Sequence, residues 1–395
     1  MNRTIVNIIS RIDPLPAYLF IKENYQEGDR LLFISARQDG EKIDFLTSLI
    51  NIDASLIEDI VLKYNSDEYT YERICRRLKA QLRSDTTYLV NLAGGSRYMA
   101  LAVHQVFESF NAQFFYTQTR ENLIVSSIFD DSIYDNDDIF YPIRYRMTLA
   151  EYFQVHGLTH DIDRKHFHKP IIKAQQTQKF FTIFANNQLS SEEHDILNLL
   201  RTEYRGMSRA TRINDIERHG APKLSALLRH IGFTPSNEGF LSPDEVEYLT
   251  GGWFEEYVYN LIERTVKPQD IAIGVHIARP GEKHNNELDV CFIKANTLFV
   301  IECKTGVQSD HLFNEIVYKA CALREALLGM TCHSYIFSLK RDNDGELERV
   351  ARIMDITFCS HKTLTTPYNI NAVTQKMIQL THETVDKAFS STKPL

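Results

Sequence analysis

"ELDVCFIKANTLFVIECKTG", Glu287–Gly306, decides how this chain is read. Two apolar runs flank Lys294-Ala295-Asn296-Thr297, which predicts a β-hairpin. Yet the strands carry Asp289 and Glu302, with Lys304 just beyond. With Ala295 and Asn296 at the loop tip, Lys294 faces Thr297, and the same register sets Asp289 opposite Glu302. Facing Cβ atoms lie roughly 4.5–5.5 Å apart, and like charges there destabilise a sheet. Glu302 and Lys304 are two residues apart and share that face, while Cys303 points away.

A cation between the two carboxylates removes the repulsion. Mg²⁺ or Mn²⁺ suits oxygen donors that keep bound water. Lys304 adds a charge to orient or help deprotonate a water, or to stabilise an oxyanion. Together these parts suit hydrolysis of a phosphodiester. The bare Asp…Glu-x-Lys spacing is common, and a solvated Glu302–Lys304 pair is the plain alternative. Three features favour a site. "LFVIECK" is too apolar for a solvated edge, Thr305-Gly306 predicts a tight turn that leaves the site accessible, and an upstream helix carries Glu255 and Glu256.

The rest of the chain frames this hairpin. At 395 residues it has room for two or three domains. It is 43% hydrophobic and 24% charged, as a packed soluble fold requires. A net charge of −8 excludes coating duplex DNA by charge alone, though not an acidic nuclease site. The six cysteines lack a C-x-x-C pair and read as buried thiols of a reducing cytosol. "MNRTIVNIIS" is too short an apolar stretch for a signal peptide, and no run is long enough to span a membrane. The expected location is cytoplasmic.

Strand and helix alternate over the first 120 residues. Strands are predicted at Thr4–Ser10, Arg30–Arg37, Thr87–Gly95 and Ala112–Gln118, and helices at Tyr71–Arg83 and Ser96–Phe110. That order predicts a parallel, doubly wound, Rossmann-like sheet, with ligands at the carboxyl ends of its strands. Those ends carry Ser10, Arg11, Ser35 and the Asn91–Gly95 loop. Gly94-Gly95 admits a ligand close to the backbone, and the helix that starts at Ser96-Arg97 offers free N–H groups, a hydroxyl and a charge.

An acidic stretch at Asp130–Asp138 reads as a loop or hairpin tip, and Met147–Gly157 as a helix. The expected domains are residues 1–145, a helical connector or winged-helix-like module at 146–243, and 244–395. In the middle segment "SSEEHDILNLLRTEY" reads as a helix capped by Ser191, and "KLSALLRHIGF" as another. "LSPDEVEYLTGGWFEEYVYNLIERTV" reads as two helices broken at Gly251-Gly252. Beyond the hairpin a long helix is predicted at Asp310–Met330 and a strand at Cys332–Leu339.

"LTGGWFEEYVYNLI" followed by "NELDVCFIKANTLFVIECKTG" resembles the nuclease domain of the CRISPR-associated CARF nucleases, of the PD-(D/E)xK superfamily. "YLVNLAGGSRYMALA" resembles their N-terminal sensor, in which a strand, a glycine loop and a Ser/Thr-basic helix start follow one another. The resemblance implies a CARF sheet followed by a restriction-endonuclease-like α/β domain with a central mixed sheet. It assigns Asp289, Glu302 and Lys304 as catalytic. It implies a divalent metal, Mn²⁺ or Mg²⁺, at Glu255, Asp289, Glu302 and the Cys303 carbonyl, with Glu256 as the alternative to Glu255. Tyr318, Lys319 and Arg324 on the next helix would lie near the site, or on a solvated face.

The same resemblance implies a homodimer with one cyclic tetra-adenylate on its twofold, and allosteric activation of an endonuclease of type III CRISPR antiviral defence. Its substrate would be RNA, DNA or both. Ser10, Arg11, Ser35, Gly94, Gly95, Ser96 and Arg97 would line the activator site. The competing reading is a cyclic-oligoadenylate-sensing regulator that binds DNA through its middle segment, on a non-catalytic nuclease-like scaffold. Other features read as structure: His156, His160, His166 and His168 as linker histidines, the basic run Arg73–Arg83 as a solvated face, and Trp253 as a packing anchor.

Overall fold

The computed structural model describes residues 2–9, 13–36, 40–62, 70–126, 140–162, 174–282, 286–305, 332–340 and 345–381. Ser10, Arg11, the acidic stretch Asp130–Asp138, His166, His168, Gly306 and the segment holding Tyr318, Lys319 and Arg324 lie outside the described residues.

The N-terminal part runs β1 (Asn2–Ile8), α1 (Leu15–Asn24), β2 (Arg30–Ala36), α2 (Gly40–Ser48), β3 (Ile57–Leu62), α3 (Tyr71–Lys79), β4 (Thr86–Asn91), α4 (Arg97–Phe107), β5 (Ala112–Gln118), β6 (Leu123–Ser126) and β7 (Phe140–Pro142). Among the described residues these strands form one sheet in the order β3-β2-β1-β4-β5-β6-β7. The run from β3 to β5 is parallel, as the alternating pattern predicts. The antiparallel β6 and β7 extend it beyond that pattern. The central strands are apolar on both faces because helices cover both. Strand order reverses between β1 and β4, and the crevice at such a switch point is where a doubly wound sheet receives ligands.

Helix α5 (Leu149–Val155) starts in a capping box between Thr148 and Glu151 and leads to the short β8 (Thr159–His160). Next come α6 (Ala174–Ala185), α7 (Ser191–Leu199), β9 (Thr211–Arg212), α8 (Ile213–Arg218), α9 (Leu224–Ile231), β10 (Phe240–Leu241), α10 (Pro243–Glu247) and α11 (Trp253–Thr265). The cap of α7 is Ser190, not Ser191, because Ser190 takes the Glu193 N–H in a full capping box. The interruption expected at Gly251-Gly252 is a π-helical turn, Tyr248–Gly252, joining α10 to α11.

The second sheet adds β11 (Asp270–Ala278), β12 (Asn286–Lys294), β13 (Thr297–Lys304), β14 (Cys332–Ser338) and β15 (Thr357–Cys359), in the order β15-β14-β13-β12-β11-β8. It is mixed: β13, β14 and β15 are parallel, and the rest pair antiparallel.

Both faces of this second sheet are covered. Val275, Ile277, Ile293, Leu298 and Val300 share a core with Leu15, Phe20, Leu149 and Phe153 of the N-terminal part. Phe292, Phe299, Ile301 and Phe337 share another with Phe180, Leu197, Leu228, Trp253 and Val258. Trp253 is buried and stacks on Phe180 with ring centroids 4.5 Å apart. The helices of the middle segment therefore wall the second sheet rather than merely linking two parts. Each such buried aromatic contributes about 1.5–3 kcal/mol by leaving water.

Candidate functional site

The hairpin turns where the residue types allow it. Ala295 and Asn296 have φ of 47° and 61°, the pair of positive values that a two-residue type I′ loop needs. Lys294 pairs with Thr297, and the register runs unbroken to Val290 opposite Ile301. Asp289 and Glu302 are the next positions. There the backbone ladder stops, and a side chain takes its place: Asp289 Oδ2 accepts from the Cys303 N–H at 2.7 Å. The ladder on the other side skips the same level. Ile273 pairs with Val290 and Val275 with Leu288, with Gly274 between them at φ 61°. Asp289 thus sits at a gap in both ladders, where its carboxylate has room to act.

Asp289 and Glu302 are each only 9% exposed. Lys304 Nζ donates to Glu302 Oε1 at 2.7 Å and stands 3.8 Å from Asp289 Oδ2. Burial works against the charge on Lys304, but Asp289 and Glu302 outweigh it and hold the ammonium protonated above its usual range. Glu255 on α11 behaves oppositely. Burial, then the charges of Asp289, Glu287 and Glu247, push its carboxyl well above the usual range against a smaller pull from Lys304. Glu256 turns to α6, where Oε2 accepts from Thr177 Oγ1 at 3.0 Å. The Cys303 thiol is packed into the core with α11, and burial, then Asp289 and Glu255, push it up, so it stays a neutral thiol.

Among the described residues no group of three or more His, Cys, Asp and Glu side chains stands ready-formed around a cation position. The Lys304 ammonium lies between the two carboxylates instead, as a built-in counter-charge. The donors nonetheless fit a hard divalent ion. Glu255, Asp289 and Glu302 offer only oxygen donors. The Cys303 side chain is packed in the core as a neutral thiol, so that residue has its carbonyl to offer.

One neighbour had no signal in the sequence. Arg201, from the turn after α7, donates through Nη2 and Nε to the Thr250 carbonyl at 2.7 and 3.2 Å, and Nη2 lies 3.4 Å from Thr305 Oγ1. It ties the start of α11 to the end of β13, the two elements that bring Glu255 and Lys304 together.

At the first sheet, Asn91 ends β4 and the chain opens into Gly94 and Gly95, with φ of 123° and 58°. A Cβ on Gly95 would come within 2.5 Å of Ile8 Cγ2, so the loop closes directly onto β1. Ser96 caps α4 by accepting from the Met99 N–H at 3.2 Å, and Arg97 is exposed beside it. Gly94–Arg97 therefore lie together at the switch point. Ser35, at the end of β2, is fully buried and its hydroxyl donates to Asp59 Oδ1 at 2.9 Å. A hydroxyl near a strand end reads alike in sequence whether it faces a crevice or an aspartate on the next strand.

Residues 4–152 match the family described as the Card1 CARF domain, and residues 243–360 match the Card1-like endonuclease domain. The chain joins a CARF domain to a Card1-like endonuclease domain. Its fold extends over whole solved chains. Protein VC1899 from Vibrio cholerae superposes with a TM-score of 0.72 at 18% identity, over 96% of this chain and 98% of that one. Can2 from Sulfobacillus thermosulfidooxidans, solved with cyclic tetra-adenylate, does so with 0.67 at 18%, over 96% and 99%. A type III CRISPR defence DNA nuclease activated by cyclic oligoadenylate reaches 0.52 at 13%, over 86% of this chain and 45% of that one. No curated protein matches. In the CARF domain lies the Gly94–Arg97 loop, and in the endonuclease domain the hairpin with Asp289, Glu302 and Lys304. No helix among the described residues is long and apolar enough to cross a membrane.

Proposed function

We propose that the chain is a metal-dependent endonuclease of type III CRISPR defence, switched on by cyclic tetra-adenylate at its CARF domain. One observation carries the catalytic half: two buried carboxylates flank a partly buried ammonium, with Lys304 Nζ 2.7 Å from Glu302 and 3.8 Å from Asp289. A fold that needed only stability has no use for that arrangement at a break in two ladders. Glu255, Asp289, Glu302 and the Cys303 carbonyl would hold Mn²⁺ or Mg²⁺, which supplies Lewis-acid polarisation of the phosphate and an activated water. Lys304 acts as a fixed positive charge, orienting that water and offsetting charge on the pentacoordinate phosphorus. Its raised pKa suits a charge-bearing role rather than proton abstraction.

The activator half rests on the two solved neighbours whose descriptions name a cyclic oligoadenylate, and on the glycine loop at the switch point. A ring of identical nucleotides presents equal halves to two identical subunits, which suits a homodimer. Exposed Tyr98 and Leu101, three residues apart on α4 just after Arg97, form an apolar patch beside the loop that suits such a contact.

The test is cleavage of RNA, single-stranded DNA and supercoiled DNA in Mn²⁺, with and without cyclic tetra-adenylate. Stimulated cleavage by the wild type, lost in Asp289→Ala/Glu302→Ala, is the expected result. Cleavage that survives the double substitution refutes the site. The competing reading, a DNA-binding regulator on a silent scaffold, draws on the β9–β10 pair flanking α8 and α9. It leaves the Asp289–Lys304–Glu302 set without a purpose, and operator binding without cleavage would be its signature.

A further inference from the structure

The tip of the catalytic hairpin is not at the surface. Asn296 is 1% exposed, and its amide is engaged with residues far back in the sequence. Oδ1 accepts from the Met147 N–H at 3.0 Å. Nδ2 donates to Asn122 Oδ1 at 3.0 Å and to the Tyr145 carbonyl at 2.9 Å. Asn122, in the turn between β5 and β6, is itself buried at φ 53°. Its Nδ2 donates to the Ile143 carbonyl at 3.1 Å, and its own carbonyl accepts from the Ile143 N–H at 2.9 Å.

Five residues before Asn122 along the chain, a second buried amide cluster reaches the glycine loop. On β5, the Thr117 N–H and Oγ1 donate to Asn91 Oδ1 at 3.3 and 3.2 Å. The Ala93 N–H donates to that same oxygen at 3.2 Å, one residue before Gly94. In the other direction, β12 and β13 run from Asn296 to Asp289 and Glu302. Six or seven residues at about 3.3 Å each make a paired arm of roughly 20 Å. A fully hydrogen-bonded group in a dry site holds one position, because shifting it strands donors and acceptors that water cannot reach. These two strands lie at the centre of the second sheet, paired with β11 and β14, so a shift at the tip is transmitted along a hydrogen-bonded, packed element.

We propose that Asn296 is the positioning residue through which the CARF domain sets the catalytic hairpin. A ligand at Gly94–Arg97 moves Asn91 and the β5–β6 turn, and Asn296 passes that movement to the Asp289–Glu302 end. The inference rests on the function proposed above and names the contact by which it is regulated.

Asn296→Gly tests it, since glycine accepts the φ of 61° and keeps the turn while removing the amide. The neighbouring ties remain: Leu149 N–H to Asp270 Oδ2 at 2.8 Å, and Gln269 Nε2 to the Met147 carbonyl at 2.6 Å. The experiment measures Mn²⁺-dependent cleavage with and without cyclic tetra-adenylate, activator binding by titration, and thermal unfolding, for wild type, Asn296→Gly, Asn122→Ala and the double variant. The expected result is activator binding and unstimulated cleavage within about threefold of wild type, with stimulation of kcat cut at least about tenfold and KM unchanged. The double variant should lose no more than Asn296→Gly alone, as one shared link requires. Full stimulation in Asn296→Gly overturns the proposal, as does a loss of stimulation that only tracks lost activator binding or lost unstimulated cleavage. The wild-type arm separates the two readings. Without stimulation there, the proposed function fails and this inference falls with it. With stimulation there that persists in Asn296→Gly, only this inference fails.

Discussion

The two ends of the β12–β13 hairpin handle polar groups in opposite ways. At the tip, Asn296 is neutral, and the hydrogen bonds of its amide match donor to acceptor. At the open end, Asp289 and Glu302 flank one ammonium, with Glu255 on α11 close enough to feel both charges, beside a gap in two backbone ladders. The tip is satisfied and therefore specifies a position. The open end is only partly compensated and therefore retains chemistry to perform, at some cost to local stability. An isosteric exchange of amide and carboxylate at each end separates these roles.

Asp289→Asn has the largest expected effect. It keeps the shape and the acceptor for the Cys303 N–H but removes a charge, so stimulated cleavage should fall at least about a hundredfold. The melting temperature should stay level or rise, since like-charge crowding is relieved. A clear drop in melting temperature would mean that the open end is structural and would break the contrast. The mirror exchange, Asn296→Asp, aims a carboxylate at Asn122 Oδ1 and the Tyr145 carbonyl, costing about 3 kcal/mol by chemical denaturation. Gly95→Ala sharpens the picture at the far end of the relay. Its Cβ would press on Ile8 Cγ2 at a positive φ, so a loss of about 1–2 kcal/mol is expected, together with weaker activator binding by titration.

The smallest effect concerns Glu151, which supports the segment that receives the tip. Burial opposes its ionisation, but hydrogen bonds from Tyr145, the Thr148 backbone and Tyr18 more than offset it and hold its carboxyl below the ordinary value of 4.5. A folded pKa below the unfolded one means that its contribution is complete above pH 4.5 and fades as pH falls through the folded value. Unfolding free energies of wild type and Glu151→Gln should therefore converge only on the acid side of that point.

The hairpin register was legible because turn chemistry and strand parity are local. An Asn at the second loop position and uninterrupted apolar runs define which residues face one another. What Asn296 does in the fold was not legible, because its partners lie at Asn122, Tyr145 and Met147, and an Asn in a turn looks solvated from sequence alone. The parallel sheet and its glycine loop followed from alternating strands and helices. The bond from Ser35 to Asp59 across the β2–β3 pairing was not legible, since no local pattern announces it. Glu255 and Glu256 are neighbours on one helix turn, and only the packing of α6 against α11 separates them, by giving Thr177 to Glu256. Arg201 was invisible for the same reason, as its two targets lie in different elements.

The second sheet has neither face to itself, and this bears on how such a protein is inherited. Val275, Ile277, Ile293, Leu298 and Val300 are fitted to side chains of the CARF domain, and Phe292, Phe299 and Phe337 to the middle helices. A recombination event between residues 145 and 243 that imports the first half of a distant relative sets unmatched side chains against that sheet. Each poor fit costs about 1–3 kcal/mol. The chain's two activities are therefore expected to descend as one linked block, with sensor and nuclease accumulating their substitutions in step.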